Sequence, residues 1–108
     1  MNYDIHIYWS NEAERAEAVA LRQLLIDNQV RVFAMIDMPI GPHPLPMFEA
    51  HVTTATLPSI EAVLVQNRKQ CSILIHEKTN SHMYDHTDGA RWLGEPLKLN
   101  LEFLKRFQ

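Results

Sequence analysis

Hydrophobic and polar residues alternate along the first segment of the chain. Its apolar positions are spaced by two, at Ile5, Ile7 and Trp9. The positions between them carry polar and aromatic side chains, Asp4, His6 and Tyr8. A period of two is typical of a β-strand with one buried face. The pattern predicts a first strand over 3–9 that has an apolar and a polar face.

The spacing of apolar residues also predicts the main elements that follow. Two segments place apolar residues at helical spacing and predict helices over 11–28 and 56–67. Asn11 with Glu14 resembles a capping box at the start of the first helix. Segments rich in β-branched or alternating residues predict strands over 30–36, 47–52 and 71–76.

The connections are less regular. Four prolines between 39 and 46 fix the backbone and predict a stiff loop. Beyond residue 77 we expect an irregular tail with a short helix over 85–92, closed by Gly94, and a last turn capped by Asn100.

The element order β-α-β-β-α-β predicts a single α+β domain over 1–108 with the ferredoxin-like fold. In that fold both helices cover one face of an antiparallel sheet of strand order 4-1-3-2. The alternation then turns one set of side chains to a face without helices: Asp4, His6, Tyr8, Met47, Glu49, His51, Leu74 and His76.

The composition narrows the classes of protein to which the chain can belong. The chain has 108 residues, 46% of them hydrophobic and 21% charged, which is typical of one globular domain. A net charge of −3 argues against nucleic-acid binding, and no apolar run approaches the roughly 20 residues that span a membrane. Without a basic and apolar leader pattern, and with one cysteine, Cys71, we expect a cytoplasmic protein without an internal disulfide.

Six histidines are the unusual feature of the composition. His6, His76 and Glu49 lie on neighbouring strands, and two histidines with one carboxylate are the ligand set of non-haem Fe(II) oxygenases. The alternative is a set of surface histidines on a solvated sheet or at a dimer interface. His43 lies in the rigid loop, and His86 follows Asp85, where the N-terminal end of a helix would keep its imidazole neutral.

Several segments together match a known family, in order and over nearly the whole chain. They are 3–9, 41–44 (Gly-Pro-His-Pro), 75–79, 85–87 and 91–97. The chain resembles the DOPA 4,5-dioxygenase family, small extradiol dioxygenases of fungi with many bacterial relatives. The resemblance implies a DOPA-like catechol substrate, O2, Fe(II) and a set of marked histidines: His6, His43, His76 and His86.

Two departures from the family pattern bear on substrate identity. The first strand of the family commonly has His-x-His, and the first of these positions is Asp4 here. The segment after His76 commonly reads Pro-Asn-Thr-Gly-Asp, and it is Glu-Lys-Thr-Asn-Ser here. Asp4 could still serve as a ligand or as a hydrogen-bond acceptor.

For the implied reaction we assign His6, His76 and Glu49 as ligands of Fe(II), with His43 and His86 as base and acid. Zinc or another divalent metal could occupy the same site in a crystal. An alternative ligand set is His6, His43 and His86. The topology raises one objection, since the loop that carries His43 is expected at the far end of the strands from His76.

The competing class is a non-catalytic domain that binds an apolar or aromatic molecule at an open sheet face lined by Tyr8, Met47 and Leu74. A homodimer is expected in either case, because a chain this small with an open sheet face has reason to pair. A metal-dependent hydrolase ranks last, because the chain has the histidines without a clear acid-rich motif.

Overall fold

The computed structural model describes the backbone of residues 1–107 and the side chains of residues 1–106. Its strands are β1 (Asn2–Tyr8), β2 (Arg31–Val32), β3 (Met47–Thr53), β4 (Ile73–Glu77) and β5 (Ala90–Leu93). Its helices are α1 (Glu12–Asp27), α2 (Leu57–Asn67), α3 (His82–Asp85) and α4 (Leu101–Leu104), with a 3-10 turn at Lys105–Phe107. No helix in this part of the chain is both long and apolar enough to cross a membrane.

The strands form one antiparallel sheet in the order β2-β3-β1-β4-β5. The first four strands have the predicted order, and the α+β, ferredoxin-like fold is confirmed. β1 lies at the centre, where His6 pairs with Glu49 of β3 on one side and with Leu74 of β4 on the other. The polar face of β1 is thus flanked by side chains from both neighbours.

The face under the helices is the main core, and the predicted alternation is confirmed there. Its buried members include Ile5, Ile7, Phe48, Ile73 and Ile75 of the sheet, against Leu21 and Leu25 of α1 and Leu64 of α2. α1 begins as expected, because the side chain of Asn11 accepts a hydrogen bond from the backbone N–H of Glu14. Cys71 is buried here, and burial raises the pKa of its thiol to about 12, so it fills space rather than reacting.

The tail departs from the prediction, because the expected helix over 85–92 is wrong. The short helix α3 ends at Asp85, and the chain turns so that the N–H of Gly89 donates to the carbonyl of Tyr84 at 2.7 Å. β5 then adds to the edge of β4. Trp92 packs on the face away from the helices and Leu93 on the helix side, so alternation makes this segment a strand.

The opposite face of the sheet is not bare, contrary to expectation. Tyr8, Met47 and Leu74 are at most 4% exposed and form a second core. The proline loop and the tail cover them with their own apolar side chains, including Ile36, Leu45, Trp92, Leu97 and Leu99. The polar end of this face, around His6 and His76, borders a pocket.

Candidate active site

A pocket of about 360 Å³ lies over the polar end of β1 and β4. Each of its four central histidines comes from a different element: His6 from β1, His43 from the proline loop, His76 from β4 and His86 from the end of α3. The other lining residues are the acidic Asp4, Glu49 and Asp85, the polar Lys78, Thr79 and His82, and the apolar Pro42, Phe103 and Leu104. The pocket therefore has a polar floor on the sheet and an apolar wall from loop and tail.

The four imidazoles lie close together. Nε2 of His6 lies 3.1 Å from Nε2 of His76. The ring centroids are 4.3 Å apart for His6 and His43, and 4.4 Å apart for His76 and His86. The topological objection to one shared site is therefore wrong: the proline loop folds back over the sheet, and His43 reaches the ring of His6.

Three of the histidines are held through Nδ1. Nδ1 of His76 lies 2.8 Å from the carbonyl oxygen of Glu77, and Nδ1 of His86 lies 2.8 Å from the carbonyl oxygen of His82. A carbonyl oxygen only accepts, so both imidazoles carry a hydrogen on Nδ1 and, when neutral, a lone pair on Nε2. In His43, Nδ1 lies 2.7 Å from the hydroxyl of Tyr8. Such outer contacts are how proteins orient imidazoles around a metal.

Burial favours the neutral form of His6 and of His43. The pKa of His6 lies well below its ordinary value, because the ring is buried and because His43, His76 and His86 surround it. Burial, together with His86 and His76, lowers the pKa of His43 to about 4. A neutral imidazole is the form that binds a metal or accepts a proton.

The pKa of His86 is also lowered, and burial is the largest cause. The expected cause, the N-terminal end of a helix, is wrong. His86 follows the last residue of α3, and its backbone N–H donates to the carbonyls of the preceding turn. Ser81 caps the start of that helix, whereas Asp85 accepts two hydrogen bonds from Thr79.

The acid-rich side of the site joins Asp4, Glu49 and His51. Nε2 of His51 lies 2.5 Å from Oε2 of Glu49 and 3.3 Å from Oδ1 of Asp4. The alternation of β3 predicts His51 on this face, but no sequence signal marks it as part of the site. Among the described residues, neither Oδ1 of Asp4 nor Nδ1 of His6 has a hydrogen-bond partner, although both atoms are buried.

Within the described residues, three groups bring their donor atoms within 4.8 Å of one another. They are His6, His43 and His86; Asp4, His6 and His76; and Asp4, Glu49 and His51. Glu49 and His76 lie beside different ring nitrogens of His6. Oε1 of Glu49 lies 3.6 Å from Nδ1, whereas Nε2 of His76 lies 3.1 Å from Nε2. Imidazoles beside a buried carboxylate oxygen that accepts no hydrogen bond from the described residues fit a divalent cation.

The sequence profile of the Dopa 4,5-dioxygenase family matches residues 3–103. The chain belongs to the DOPA 4,5-dioxygenase family. It is 31% identical over 107 residues to a DOPA 4,5-dioxygenase of Amanita muscaria, which covers 93% of the chain and 47% of that protein. It is 32% identical over 118 residues to an uncharacterised 21.2 kDa protein of Botryotinia fuckeliana, covering 98% of the chain and 64% of that protein.

Among solved structures, this member of the family is similar to a candidate dioxygenase of Nostoc punctiforme PCC 73102. The TM-score is 0.93 at 31% sequence identity, and the match covers 99% of this chain and 93% of that one. The fold thus extends over almost the whole of both chains. By contrast, the chain spans between about half and two thirds of the length of the two curated relatives.

Proposed function

We propose that this family member is an extradiol dioxygenase that opens the ring of a catechol with O2 at a non-haem Fe(II). The observation that carries the proposal is the convergence of four imidazoles and a buried carboxylate on one pocket. The family supports the reaction class, because the Amanita muscaria relative is a DOPA 4,5-dioxygenase.

His6, His76 and Asp4 are the residues best placed to hold the ion. All three are buried, their donor atoms lie within 4.8 Å of one another, and they make a two-histidine, one-carboxylate set. Fe(II) bound there would supply a Lewis acid for the diol and electrons for O2, whereas zinc would fill the site without redox chemistry. Glu49, the ligand predicted from sequence, faces Nδ1 of His6 and in this proposal accepts its hydrogen.

His86 and His43 act on the protons and oxygen atoms of the substrate. Nδ1 of His86 donates to the carbonyl of His82, so its Nε2 can accept a proton from the diol and later return it to an oxygen atom of the ring-opened product. His43, whose ring centroid lies 5.9 Å from that of His86, donates a hydrogen bond to an oxygen atom in the pocket and keeps its own hydrogen. Two histidines thus hold the ion, one moves the proton and one stabilises negative charge on oxygen.

The wall of the pocket suits a flat aromatic ring. Pro42, Phe103 and Leu104 present apolar surface opposite the polar floor, and a volume of about 360 Å³ lies in the range of small-molecule sites. A DOPA-like catechol, with its diol toward the histidines and its ring against this wall, is the substrate we propose. The homodimer and the cytoplasmic location stay predictions.

The competing function is ligand binding without turnover, and Asp4 favours it because it replaces a histidine of the family pattern. Its ligand would occupy the histidine pocket, because Tyr8, Met47 and Leu74 are covered by the chain itself. Such a protein binds catechols but consumes no O2.

The test is O2 uptake by the protein after anaerobic loading with Fe(II), with DOPA, caffeate and catechol as substrates. We expect uptake and a yellow ring-opened product, both abolished by a chelator and by His6→Gln. Gln66→Ala is the control, because Gln66 is exposed on α2 and does not line the pocket. Binding of these catechols by the iron-loaded protein without O2 uptake would overturn the enzyme proposal.

A further inference from the structure

We infer that Tyr8 is a positioning residue that holds His43 in the tautomer with its hydrogen on Nε2, directed into the pocket. The role of that hydrogen in catalysis rests on the proposed function. The tautomer itself rests on the contact between the two side chains, whose hydroxyl oxygen and Nδ1 are 2.7 Å apart.

Tyr8 has no freedom to turn elsewhere. Its side chain is fully buried in the second core, where its ring lies beside that of Trp92 at 5.8 Å between centroids. His43 is also held in place, because its backbone N–H donates to the carbonyl of Ile40 within the proline loop. The contact therefore joins two groups that the fold keeps fixed.

The direction of this hydrogen bond follows from the partners present. A buried phenol hydrogen needs an acceptor. In the part of the chain that the structure describes, the hydroxyl of Tyr8 makes one hydrogen bond, to Nδ1 of His43. If His43 donated through Nδ1 instead, the phenol hydrogen would be buried without an acceptor.

When Tyr8 donates to Nδ1, a neutral His43 carries its own hydrogen on Nε2. His76 and His86 have the opposite tautomer, because each donates a hydrogen bond from Nδ1 to a carbonyl oxygen and, when neutral, carries a lone pair on Nε2. These contacts leave His76 and His86 as acceptors at Nε2 and His43 as a donor at Nε2. His43 is fitted to donate to an oxygen atom in the pocket, which argues against the ligand set of His6, His43 and His86.

The test is the ring-nitrogen NMR of 15N-histidine-labelled protein, loaded with zinc and kept at a pH where the histidines are neutral. We expect His43 to carry its hydrogen on Nε2 in the unmodified chain and to lose this preference in Tyr8→Phe. Tyr3→Phe is the matched control, because it removes a hydroxyl from the same strand on the helix side. The Nδ1 hydrogens of His76 and His86 should be retained in both variants, which also shows that the site is folded.

In the iron-loaded enzyme, Tyr8→Phe should lower kcat by about 10–100-fold, no more than the roughly 10²–10³-fold cost of removing one hydrogen-bond donor to a developing negative charge. KM should change little, because Tyr8 does not line the pocket. A hydrogen on Nδ1 of His43 in the unmodified chain, or the same His43 spectrum in both variants, would overturn the inference. The NMR result does not depend on turnover, so an absence of O2 uptake would remove the proposed reaction and leave the tautomer standing.

Discussion

Nε2 of His6 lies 3.1 Å from Nε2 of His76. Since His76 donates through Nδ1, its Nε2 carries a lone pair when the ring is neutral, and a hydrogen bond between the two Nε2 atoms would need His6 as the donor. That leaves a bare Nδ1 of His6 facing Glu49 without a hydrogen-bond partner among the described residues. A cation between the two Nε2 atoms removes the conflict, because Nδ1 of His6 can then carry the hydrogen and offer it to the carboxylate.

Metal should therefore stabilise the folded chain. Zinc at about 100 times its Kd should raise the free energy of unfolding by about 2.7 kcal/mol, because the ion binds the folded state alone. His6→Gln should abolish this gain, and Gln66→Ala, at an exposed position of α2 outside the pocket, should retain it. The measurement is thermal or urea unfolding with zinc and with chelator; an equal gain in His6→Gln would contradict the assignment of His6 as a ligand.

Asp4→Asn and Glu49→Gln distinguish two ligand sets. If Asp4 binds the ion, Asp4→Asn should weaken zinc affinity by more than the roughly 10–100-fold typical of an outer-shell change, and Glu49→Gln should fall within that range. Both substitutions keep the size of the side chain. Calorimetric titration with zinc gives the two affinities, and the opposite order would restore Glu49, the sequence-based prediction, as the ligand.

Acid should destabilise the metal-free chain. The pKa of His43 in the folded state is about 4, whereas an unfolded histidine has an ordinary value of about 6.5. Between these values the unfolded chain binds more protons, so the contribution of His43 is complete above pH of about 6.5 and is lost as the pH falls toward about 4.

The change should amount to at most about 1.4 kcal/mol per pH unit for each such histidine. Urea unfolding at a series of pH values measures the slope. His43→Gln should have a shallower slope than the unmodified chain, and Gln66→Ala, which removes no titratable group, should keep the full slope. Equal slopes in all three proteins would show that His43 titrates normally in the folded state.

Asp85 ties the end of β4 to α3 and so sets the position of His86. Its carboxylate, 2% exposed, accepts from the N–H and the hydroxyl of Thr79 at 3.0 and 2.6 Å. Asp85→Ala leaves both donors without this acceptor, and we expect a loss of about 1–3 kcal/mol in the free energy of unfolding. Asp88→Ala, at an exposed neighbouring position, should change it by less than about 0.5 kcal/mol. Chemical denaturation of both variants checks the difference.

Local patterns were sufficient for four of the five strands and for the two long helices, although β2 is confined to Arg31–Val32 of the predicted 30–36. Alternation in β1 separated Ile5 and Ile7 from His6 because a strand has only two faces. The tail failed because its structure depends on distant partners: β5 forms by pairing with β4, and Ser81 rather than Asp85 caps α3. The sequence pointed to the four histidines through the family resemblance, but not to the contact of His43 with Tyr8, which requires the loop to fold over the sheet.

The wall and the floor of the pocket come from different parts of the chain. Phe103 and Leu104 belong to the last turns, whereas His6 and His76 are fixed in the central strands. Substitutions of Phe103 or Leu104 can therefore reshape this wall while the donor atoms of His6 and His76 stay where they are. Under the proposed function, such substitutions would change which catechols fit the pocket.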